Sequence, residues 1–266
     1  MGGLPVIPCY DAKFNENTGR SHILLEDISK THFQTEYPIP PTYINCERHI
    51  EGLGKLHAFW WDDERLEGFM DKNHWSKHFD YEKGVKDHEK LVEKFLNFIG
   101  DRISKPSKNI VNNSIEYAVK YALGCYKEGK NLTLCHGDAH AWNVLYPKDG
   151  IDGKLYLCDW QSYSVNKGIT DLAYFMGIHW SPERRKRLEK VLLRKYHEIL
   201  EESGINNYSW KDCYNDYRSA IVVLIHFCIV WQWSTKKIGA FVWWSHLERV
   251  LSAFEDLKCN ELVNLV

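Results

Sequence analysis

One short polar segment constrains this chain more than any other feature of its sequence. The segment reads HGDAHAWN, from His136 to Asn143, and it directly follows the apolar run Leu132 to Cys135 (LTLC). A short apolar run that ends in polar residues is typical of a buried strand. The sequence therefore predicts a strand that delivers Asp138, and Asn143 shortly after it, to the edge of a pocket.

A second short run, Lys154 to Cys158 (KLYLC), ends directly before Asp159. Turn-forming residues lie between the two runs, namely Pro147, Asp149-Gly150 and Asp152-Gly153. We predict that the two runs pair as strands. The carboxylate of Asp159 would then face the same pocket as the side chains of Asp138 and Asn143.

An Asp and an Asn separated by four residues have the spacing of the kinase catalytic loop, H-R-D-x-x-x-x-N. Phosphoryl transfer needs a carboxylate that accepts or orients the proton of the attacking hydroxyl, and oxygen ligands that hold a divalent ion. Asp138 suits the first requirement. Asn143 and Asp159 suit the second, because Mg²⁺ prefers oxygen ligands and keeps several waters. Each residue alone would more often be a turn or cap residue, but their order along the chain favours the catalytic interpretation.

Two other interpretations of the segment stay open at this point. In the first, His136, Asp138 and His140 bind a transition metal through an H-x-D-x-H arrangement, and the protein is a metal-dependent hydrolase. In the second, the protein is a binding module that does not catalyse. Kinase-type magnesium sites do not use histidine, so a supporting role for His140 fits the phosphotransfer hypothesis better.

Charge and hydropathy exclude some partners. The formal net charge is -2, so the chain lacks the basic excess that holds nucleic acids. The apolar run Ala220 to Trp233 is shorter than the roughly 18 to 20 residues of a membrane span, and His226 and Gln232 interrupt it. The first residues lack the pattern of a secretory signal. We expect a cytoplasmic globular protein that contacts neither nucleic acid nor membrane, with a buried core helix at this apolar run.

Apolar residues at intervals of three and four predict a mainly helical second half. Glu47 to Trp61 has one apolar face behind a cap at Asn45. Further helices are predicted at 88–102, 114–127, 182–203, 214–233 and 243–257. Ser21 to Glu26 has the pattern of a strand, and Tyr37 to Thr42 (YPIPPT) that of a joint. Trp60 to Asp63 suits either the lining of an acceptor pocket or, more commonly, helix-end packing.

Taken together, HGDAHAWNVL, LCDWQ and TDLAY (170–174) resemble the aminoglycoside phosphotransferase and choline kinase superfamily, most closely its ecdysteroid-kinase-like branch. The resemblance extends to Ile23 to Asp27, similar to the hinge strand between the two lobes, and to Leu56 to Ala58, similar to the first helix of the large lobe. It implies an α+β, protein-kinase-like fold with a mostly helical large lobe, a short catalytic hairpin and a truncated small lobe.

The resemblance also implies an activity and its residues. The expected activity is ATP-dependent transfer of a phosphoryl group to a hydroxyl of a small molecule, with Mg²⁺ as cofactor. Asp138 would be the catalytic carboxylate, and Asn143 and Asp159 would hold the metal. Backbone groups of Glu26 and Ile28 would contact the adenine of the nucleotide.

Three further residues are predicted to be structural. By the same resemblance, His136 braces the loop by hydrogen bonding, and Asp171 anchors the helix that follows it. His57 is predicted to be a packed or hydrogen-bonded helix residue.

The N-terminal part departs from the family pattern. A complete small lobe carries a glycine-rich loop over the phosphates and a strand lysine that pairs with them. Gly2-Gly3 lacks the spacing of such a loop, and Lys13 lies in a polar stretch without a strand pattern. The sequence Gly52 to Lys55 lies in a helix pattern and lacks the Ser or Thr of a P-loop. We therefore expect residues 1–40 to be a remnant small lobe and hinge, and residues 41–266 to be the large lobe. We also expect the kinase activity of this chain alone to be weak or absent.

Overall fold

The computed structural model of the chain describes residues 5–70, 81–148, 153–233 and 239–264. Helices make up most of these ranges, and the strands form small antiparallel sheets. The strands are β1 (Cys9–Asn15), β2 (Arg20–Leu25), β3 (His32–Gln34), β4 (Thr133–Cys135), β5 (Val144–Pro147), β6 (Tyr156–Leu157) and β7 (Ser164–Asn166).

The helices follow the sequence prediction closely in the second half. They are α1 (Tyr43–Phe59), α2 (Glu67–Met70), α3 (Tyr81–Ile99), α4 (Lys105–Asn113), α5 (Ile115–Glu128), α6 (Ile169–Ala173), α7 (Pro182–Glu202), α8 (Trp210–Gln232), α9 (Ala240–Asp256) and α10 (Asn260–Val263). The predicted helices correspond to α1, α3, α5, α7, α8 and α9. The sequence reasoning missed α2, α4, α6 and α10, which are too short to show a repeated apolar face.

The N-terminal hairpin of β1 and β2 confirms one predicted strand and corrects another point. β2 covers the predicted strand, whereas Lys13 lies in β1, opposite His22, and not outside a strand. The Lys13 ammonium is exposed and lies 3.6 Å from the Asp11 carboxylate. Alternating polar residues on an exposed strand produce the polar pattern that hid it.

The two runs predicted to pair with each other lie in different sheets. β4 pairs with β7, with Leu134 opposite Val165. β6 pairs with β5, with Tyr156 opposite Leu145, and β5 also pairs with β3. The prediction missed β5 because its last residue, Pro147, was interpreted as a turn residue. Of the remaining predicted turn residues, Asp149, Gly150 and Asp152 lie outside the described residues, and Gly153 is described.

Helix α1 begins earlier than predicted. Its N-cap is Thr42, directly after Pro40-Pro41, and Asn45 is buried inside the helix rather than capping it. A proline restricts the residue before it to extended backbone, so a helix starts most readily just after a proline pair. The predicted apolar face is confirmed, since Ile50, Leu53 and Leu56 are fully buried.

Helix α8 forms the middle of the core. Its apolar run buries Ile221, Val222, Ile225 and Ile229 against the neighbouring helices, which confirms the predicted core helix. No helix in the described ranges is long and apolar enough to cross a membrane. Helix α8 packs against α6 and α9, and some of its residues also line a cavity next to the polar segment.

Candidate active site

The polar segment leaves β4 through a sharp turn at Gly137. The φ angle of Gly137 is 80°, and a Cβ atom there would lie 1.9 Å from the backbone carbonyl of Ser162. Only glycine tolerates both the positive φ and such a close approach of backbone. The Gly in HGD therefore lets the loop pass tightly beside the segment that precedes β7.

A buried carboxylate holds this loop by accepting hydrogen bonds from its backbone. Asp171, at the start of α6, accepts hydrogen bonds from the N–H groups of His136 (2.7 Å) and Gly137 (2.9 Å). The Nε2 atom of His57 lies 3.2 Å from the same carboxylate, and His57 Nδ1 lies 3.0 Å from the Tyr196 hydroxyl. Burial alone would raise the pKa of Asp171, but the His57 hydrogen bond and the nearby histidine charges hold it below its ordinary value.

These contacts settle two structural predictions. His57 is a packed, hydrogen-bonded helix residue, as predicted. The side chain of Asp171 anchors the preceding loop rather than the helix that follows it, so that prediction is corrected. The reason is that a carboxylate accepts hydrogen bonds, and the loop supplies two N–H donors within its reach.

His136 braces the loop through both ring nitrogens. Its Nε2 atom lies 2.7 Å from the carbonyl of Cys158 and donates to it, and its Nδ1 atom accepts from the N–H of Asp138 at 3.3 Å. The side chain is fully buried. The bracing role is therefore confirmed, and neither ring nitrogen of His136 is free to bind a metal.

Asp138 and Asn143 are in direct contact. The Nδ2 group of Asn143 donates to the Asp138 carboxylate at 3.1 Å and to the Asp138 carbonyl at 3.0 Å. The amide oxygen of Asn143 is thus left for another partner. This contact fixes the orientation of the Asp138 carboxylate.

Asp159 lies close to this pair along the backbone. The carbonyl of Asn143 accepts the N–H of Cys158 at 2.8 Å, which places the residue before Asp159 beside Asn143. Asp159 has a left-handed backbone with φ 60° and ψ 63°, and its side chain is exposed. Left-handed backbone at a non-glycine residue is uncommon and concentrates at functional sites. In the described structure, Gln161 contacts the Asp159 carboxylate at 3.3 Å.

Two further side chains adjoin Asp138. The Nε2 atom of His140 lies 3.6 Å from the Asp138 carboxylate, and burial lowers the pKa of His140. Burial, and then the adjacent charge of Asp138, raise the pKa of Tyr174. Sequence reasoning did not single out Tyr174, although it ends the TDLAY motif.

Asp138 lines a cavity of about 910 Å³. Asn143 and Asp159, which were expected to face the same pocket, do not line this cavity. Helix α8 supplies an apolar and aromatic wall, made of Val223, Leu224, Phe227 and Trp231. Other parts of the wall are polar and aromatic, with His140, Trp142, Tyr174, His179, His246 and Arg249. A cavity of this size accommodates a molecule much larger than a phosphate group.

The expected adenine contacts lie apart from this cavity. Glu26 and Ile28 follow β2, and neither lines the cavity. The Glu26 N–H donates to the Pro8 carbonyl at 2.9 Å, and the Ile28 carbonyl accepts from Thr31 and His32. Among the described residues, no hydrogen bond involves the Glu26 carbonyl or the Ile28 N–H, so these two groups are available to a ligand.

The cluster at the end of α1 has a packing role. The Trp61 ring packs on Tyr208 with ring centres 5.0 Å apart. The Asp62 carboxylate accepts the N–H of Leu132 at 2.8 Å. Neither Trp60 nor any residue up to Asp63 lines the cavity, so the structure places this cluster in helix-end packing and capping.

The metal cluster required by the hydrolase hypothesis does not assemble. In the described part of the chain, three His, Cys, Asp or Glu ligand atoms come within 4.8 Å of one another only at His57, Cys135 and Asp171. That group is fully buried, and its atoms already hold the loop and its neighbours. The H-x-D-x-H arrangement is thus not a preformed ligand set.

Comparison with protein families now identifies the chain. The sequence profile of the ecdysteroid kinase-like family matches residues 5–205. The chain belongs to this family. A search among curated proteins found no match. This is a kinase-like phosphotransferase family, so the match confirms the predicted resemblance to the aminoglycoside phosphotransferase and choline kinase superfamily.

Solved structures show the same fold in this ecdysteroid kinase-like chain. It is similar to a putative aminoglycoside phosphotransferase from Ralstonia eutropha JMP134 (TM-score 0.59, 13% identity, 97% of this chain and 79% of that chain). It is also similar to the choline kinase LicA from Streptococcus pneumoniae (TM-score 0.52, 13% identity, 96% of this chain and 75% of that chain). A choline kinase from Cryptosporidium parvum Iowa II is similar as well (TM-score 0.52, 14% identity, 98% of this chain and 75% of that chain). The predicted kinase-like α+β fold is confirmed. The division of the chain at residue 40 stays a prediction.

Proposed function

We propose that this chain is an ATP-dependent phosphotransferase that moves a phosphoryl group to a hydroxyl of a small molecule. The observation that carries the proposal is the contact of Asn143 with Asp138, which lines the cavity. The two residues have the spacing of a kinase catalytic loop, and the chain belongs to a kinase-like family.

Asp138 is the residue that meets the acceptor hydroxyl. Its carboxylate faces the cavity, where it orients the hydroxyl and accepts its proton as the oxygen attacks. The Asn143 amide keeps one carboxylate oxygen in place, and Asp171 keeps the loop itself in place. These supporting contacts hold the reacting groups in position. Positioning is a main contribution of a protein to phosphoryl transfer.

Asn143 and Asp159 would hold Mg²⁺. The Asn143 Nδ2 group points to Asp138, so its hard amide oxygen remains for a cation, and the exposed Asp159 carboxylate adds a charged oxygen. This donor set fits magnesium, which keeps several waters and takes oxygen ligands. When bound, Mg²⁺ would offset the negative charge of the phosphates. The Glu26 carbonyl and the Ile28 N–H would bind the adenine edge of ATP.

The acceptor is proposed to be larger than an amino alcohol. The family is named for ecdysteroids, which are large hydroxylated molecules, whereas some similar structures are choline kinases. A cavity of about 910 Å³ with an apolar wall from α8 suits an acceptor with a large apolar body.

The experiment is a transfer assay with ATP labelled at the γ-phosphate. The purified chain is incubated with Mg²⁺ and one of four acceptors: ecdysone, choline, ethanolamine or kanamycin. We expect a labelled, phosphorylated product from ecdysone. Asp138→Asn should lower the rate about a hundredfold or more, since a positioned base contributes roughly that much. Asp87→Asn, which changes an exposed residue of α3, is the control and should leave the rate unchanged.

Two results would contradict the proposal. One is the absence of labelled product with every acceptor, together with no Mg²⁺-dependent binding of ATP by calorimetry. The other is an Asp138→Asn variant as active as the Asp87→Asn control.

A further inference from the structure

The polar end of the cavity is built around two histidines and one arginine. His179 directly follows the π-helical segment Tyr174–Ile178 that continues α6, and His246 and Arg249 lie on α9. The His179 ring centre lies 5.3 Å from that of His140 and 4.6 Å from that of His246. Since His140 adjoins Asp138, these rings extend from the reacting end of the cavity towards its other end.

Three ring nitrogens of these two histidines are buried without a hydrogen-bond partner in the part of the chain that the structure describes. They are both ring nitrogens of His179 and Nδ1 of His246. Most buried polar groups in proteins are hydrogen-bonded, so orphaned ring nitrogens that line a cavity indicate a ligand. Burial first, and then the nearby positive charge of Arg249 and of other histidines, lower the pKa of both rings, to about 4 for His246. Each neutral ring offers one donor and one acceptor.

Arg249 is a cation that backbone carbonyls hold in place. Its Nη1 group donates to the carbonyls of Ile178 (3.2 Å) and His179 (3.3 Å), which holds the guanidinium beside the cavity. No carboxylate in the described part of the chain pairs with it as a salt bridge. Arginine presents five N–H donors in a planar fork, so donors remain for a ligand.

Negative charge is scarce around this polar end. The carboxylates among the described lining residues are Asp138 and Asp171. Asp171 is already occupied by the loop, and Asp138 lies at the reacting end. A site that recognises an ammonium group needs carboxylates or open aromatic faces around the charge. The aromatic rings at this end, Trp142, Tyr174 and Trp231, already pack against His179 and His246. Here the ammonium group of an acceptor would instead meet a guanidinium of like charge.

We propose that Arg249 and His179 select acceptors that carry an oxygen group, a carboxylate or a carbonyl, remote from the reacting hydroxyl, and that they reject cationic acceptors. The proposal rests on the proposed function in one respect only, that this cavity is the acceptor site. Arg249 would bind the oxygen group by charge-assisted hydrogen bonds, and His179 would add a neutral donor. The body of the acceptor would pack on the apolar wall from α8.

The test uses three probes that share one hydroxylated apolar body and differ at the end of its side chain, where the group is anionic, neutral or cationic. They are cholate, its neutral methylamide, and its amide with a quaternary ammonium arm. Binding to the full chain is measured by calorimetry, without ATP. We expect cholate to bind at least as tightly as the methylamide and about tenfold or more tighter than the cationic amide. Equal binding of cholate and the cationic amide, or no binding of any probe, would overturn the proposal.

Variants of Arg249 assign the selection to one side chain. Arg249→Gln should weaken cholate binding about tenfold or more, and Arg249→Glu should invert the order of cholate and the cationic amide. Arg249→Lys keeps the charge, so it should keep the order of the three binding affinities. Loss of the planar guanidinium fork should at most weaken the binding of all three probes. Circular dichroism checks that each variant is folded, because Arg249 also holds two backbone carbonyls.

The matched control is Arg194→Gln on α7. The Arg194 guanidinium stacks on the Trp210 ring at 3.6 Å and does not line the cavity, so probe binding should not change. An Arg249→Gln variant with the wild-type order and affinities would contradict the proposal. The expected binding order without phosphoryl transfer from ATP would contradict the proposed function alone. Transfer to choline that is insensitive to Arg249→Glu would contradict the selection alone.

Discussion

Asp171 satisfies two loop N–H groups and one histidine with a single buried carboxylate. In Asp171→Asn, an amide N–H₂ group would face one of these donors, so at least one buried N–H would lose its acceptor. We expect the free energy of unfolding, measured in urea, to fall by about 2 to 3 kcal/mol, since each unsatisfied buried group costs roughly 1 to 3 kcal/mol. Asp87→Asn removes an exposed ion pair with Lys90 and should change it by less than about 0.5 kcal/mol. Equal losses would show that Asp171 does not hold the loop.

Asn143 has three contacts to lose, two hydrogen bonds to Asp138 and one to the proposed metal. In Asn143→Ala, the Mg²⁺ concentration for half-maximal transfer should rise about tenfold to a hundredfold, because even indirect partners of metal ligands change affinity by that amount. The measurement is the initial rate at saturating ATP over a series of Mg²⁺ concentrations. Asn206→Ala, which removes an exposed amide after α7, should leave this concentration unchanged. An unchanged Mg²⁺ requirement in Asn143→Ala would exclude this residue as a ligand.

At the scale of elements, α1 approaches α7 closely at a glycine. A Cβ atom at Gly54 would lie 2.9 Å from Cγ2 of Ile199, a branched side chain fixed in α7. Gly54→Ala should therefore overpack the interface by about 1 to 3 kcal/mol, which outweighs or cancels the helix propensity gain of roughly 1 kcal/mol. Gly124→Ala in α5 meets no atom within 4 Å and should stabilise the protein by about 0.5 to 1 kcal/mol. Thermal unfolding of both variants tests this, and equal stabilisation would contradict the close approach.

The same helix shows what sequence reasoning reached at the scale of elements. The apolar face of α1 repeats locally, so it was predictable, and it explains why Gly52 to Lys55 is not a P-loop. The partners of β4 and β6 were not predictable in the same way. Strands of two or three residues carry too little pattern to specify a partner, and β5, which separates the two runs, supplies one of the pairings.

In the candidate site, too, local patterns were predictable from the sequence and contacts between distant residues were not. Asp138, Asn143 and Asp159 lie within one stretch of the chain, so their spacing was enough to predict them as candidate site residues. The polar end of the cavity joins His179 to Arg249, which are far apart in sequence. They meet because α9 packs beside the π-helical segment Tyr174–Ile178 that continues α6. No local pattern signals such a contact, whereas a lone arginine on a helix is usually a surface residue.

At the scale of the whole molecule, buried neutral histidines make stability depend on pH. His49 is fully buried on α1, with both ring nitrogens unpaired, and burial lowers its pKa to about 3. An unfolded histidine has a pKa of about 6.5. Between these values the unfolded chain binds a proton that the folded chain does not, so stability falls as the pH falls. His226 and His246, with pKa values lowered to about 3 and about 4, act in the same direction.

Replacement of one such histidine isolates its share of this dependence. Each buried neutral histidine contributes a slope of up to about 1.4 kcal/mol per pH unit. His49→Phe fills the space between Phe175 and Tyr146 with a ring that cannot be protonated. The slope of the free energy of unfolding between about pH 4 and 6, measured in urea, should therefore fall by about 1.4 kcal/mol per pH unit. Gly124→Ala, which changes no titratable group, is the control and should leave the slope as it is. If His49→Phe keeps the wild-type slope, a group other than the buried imidazole takes up the proton on unfolding.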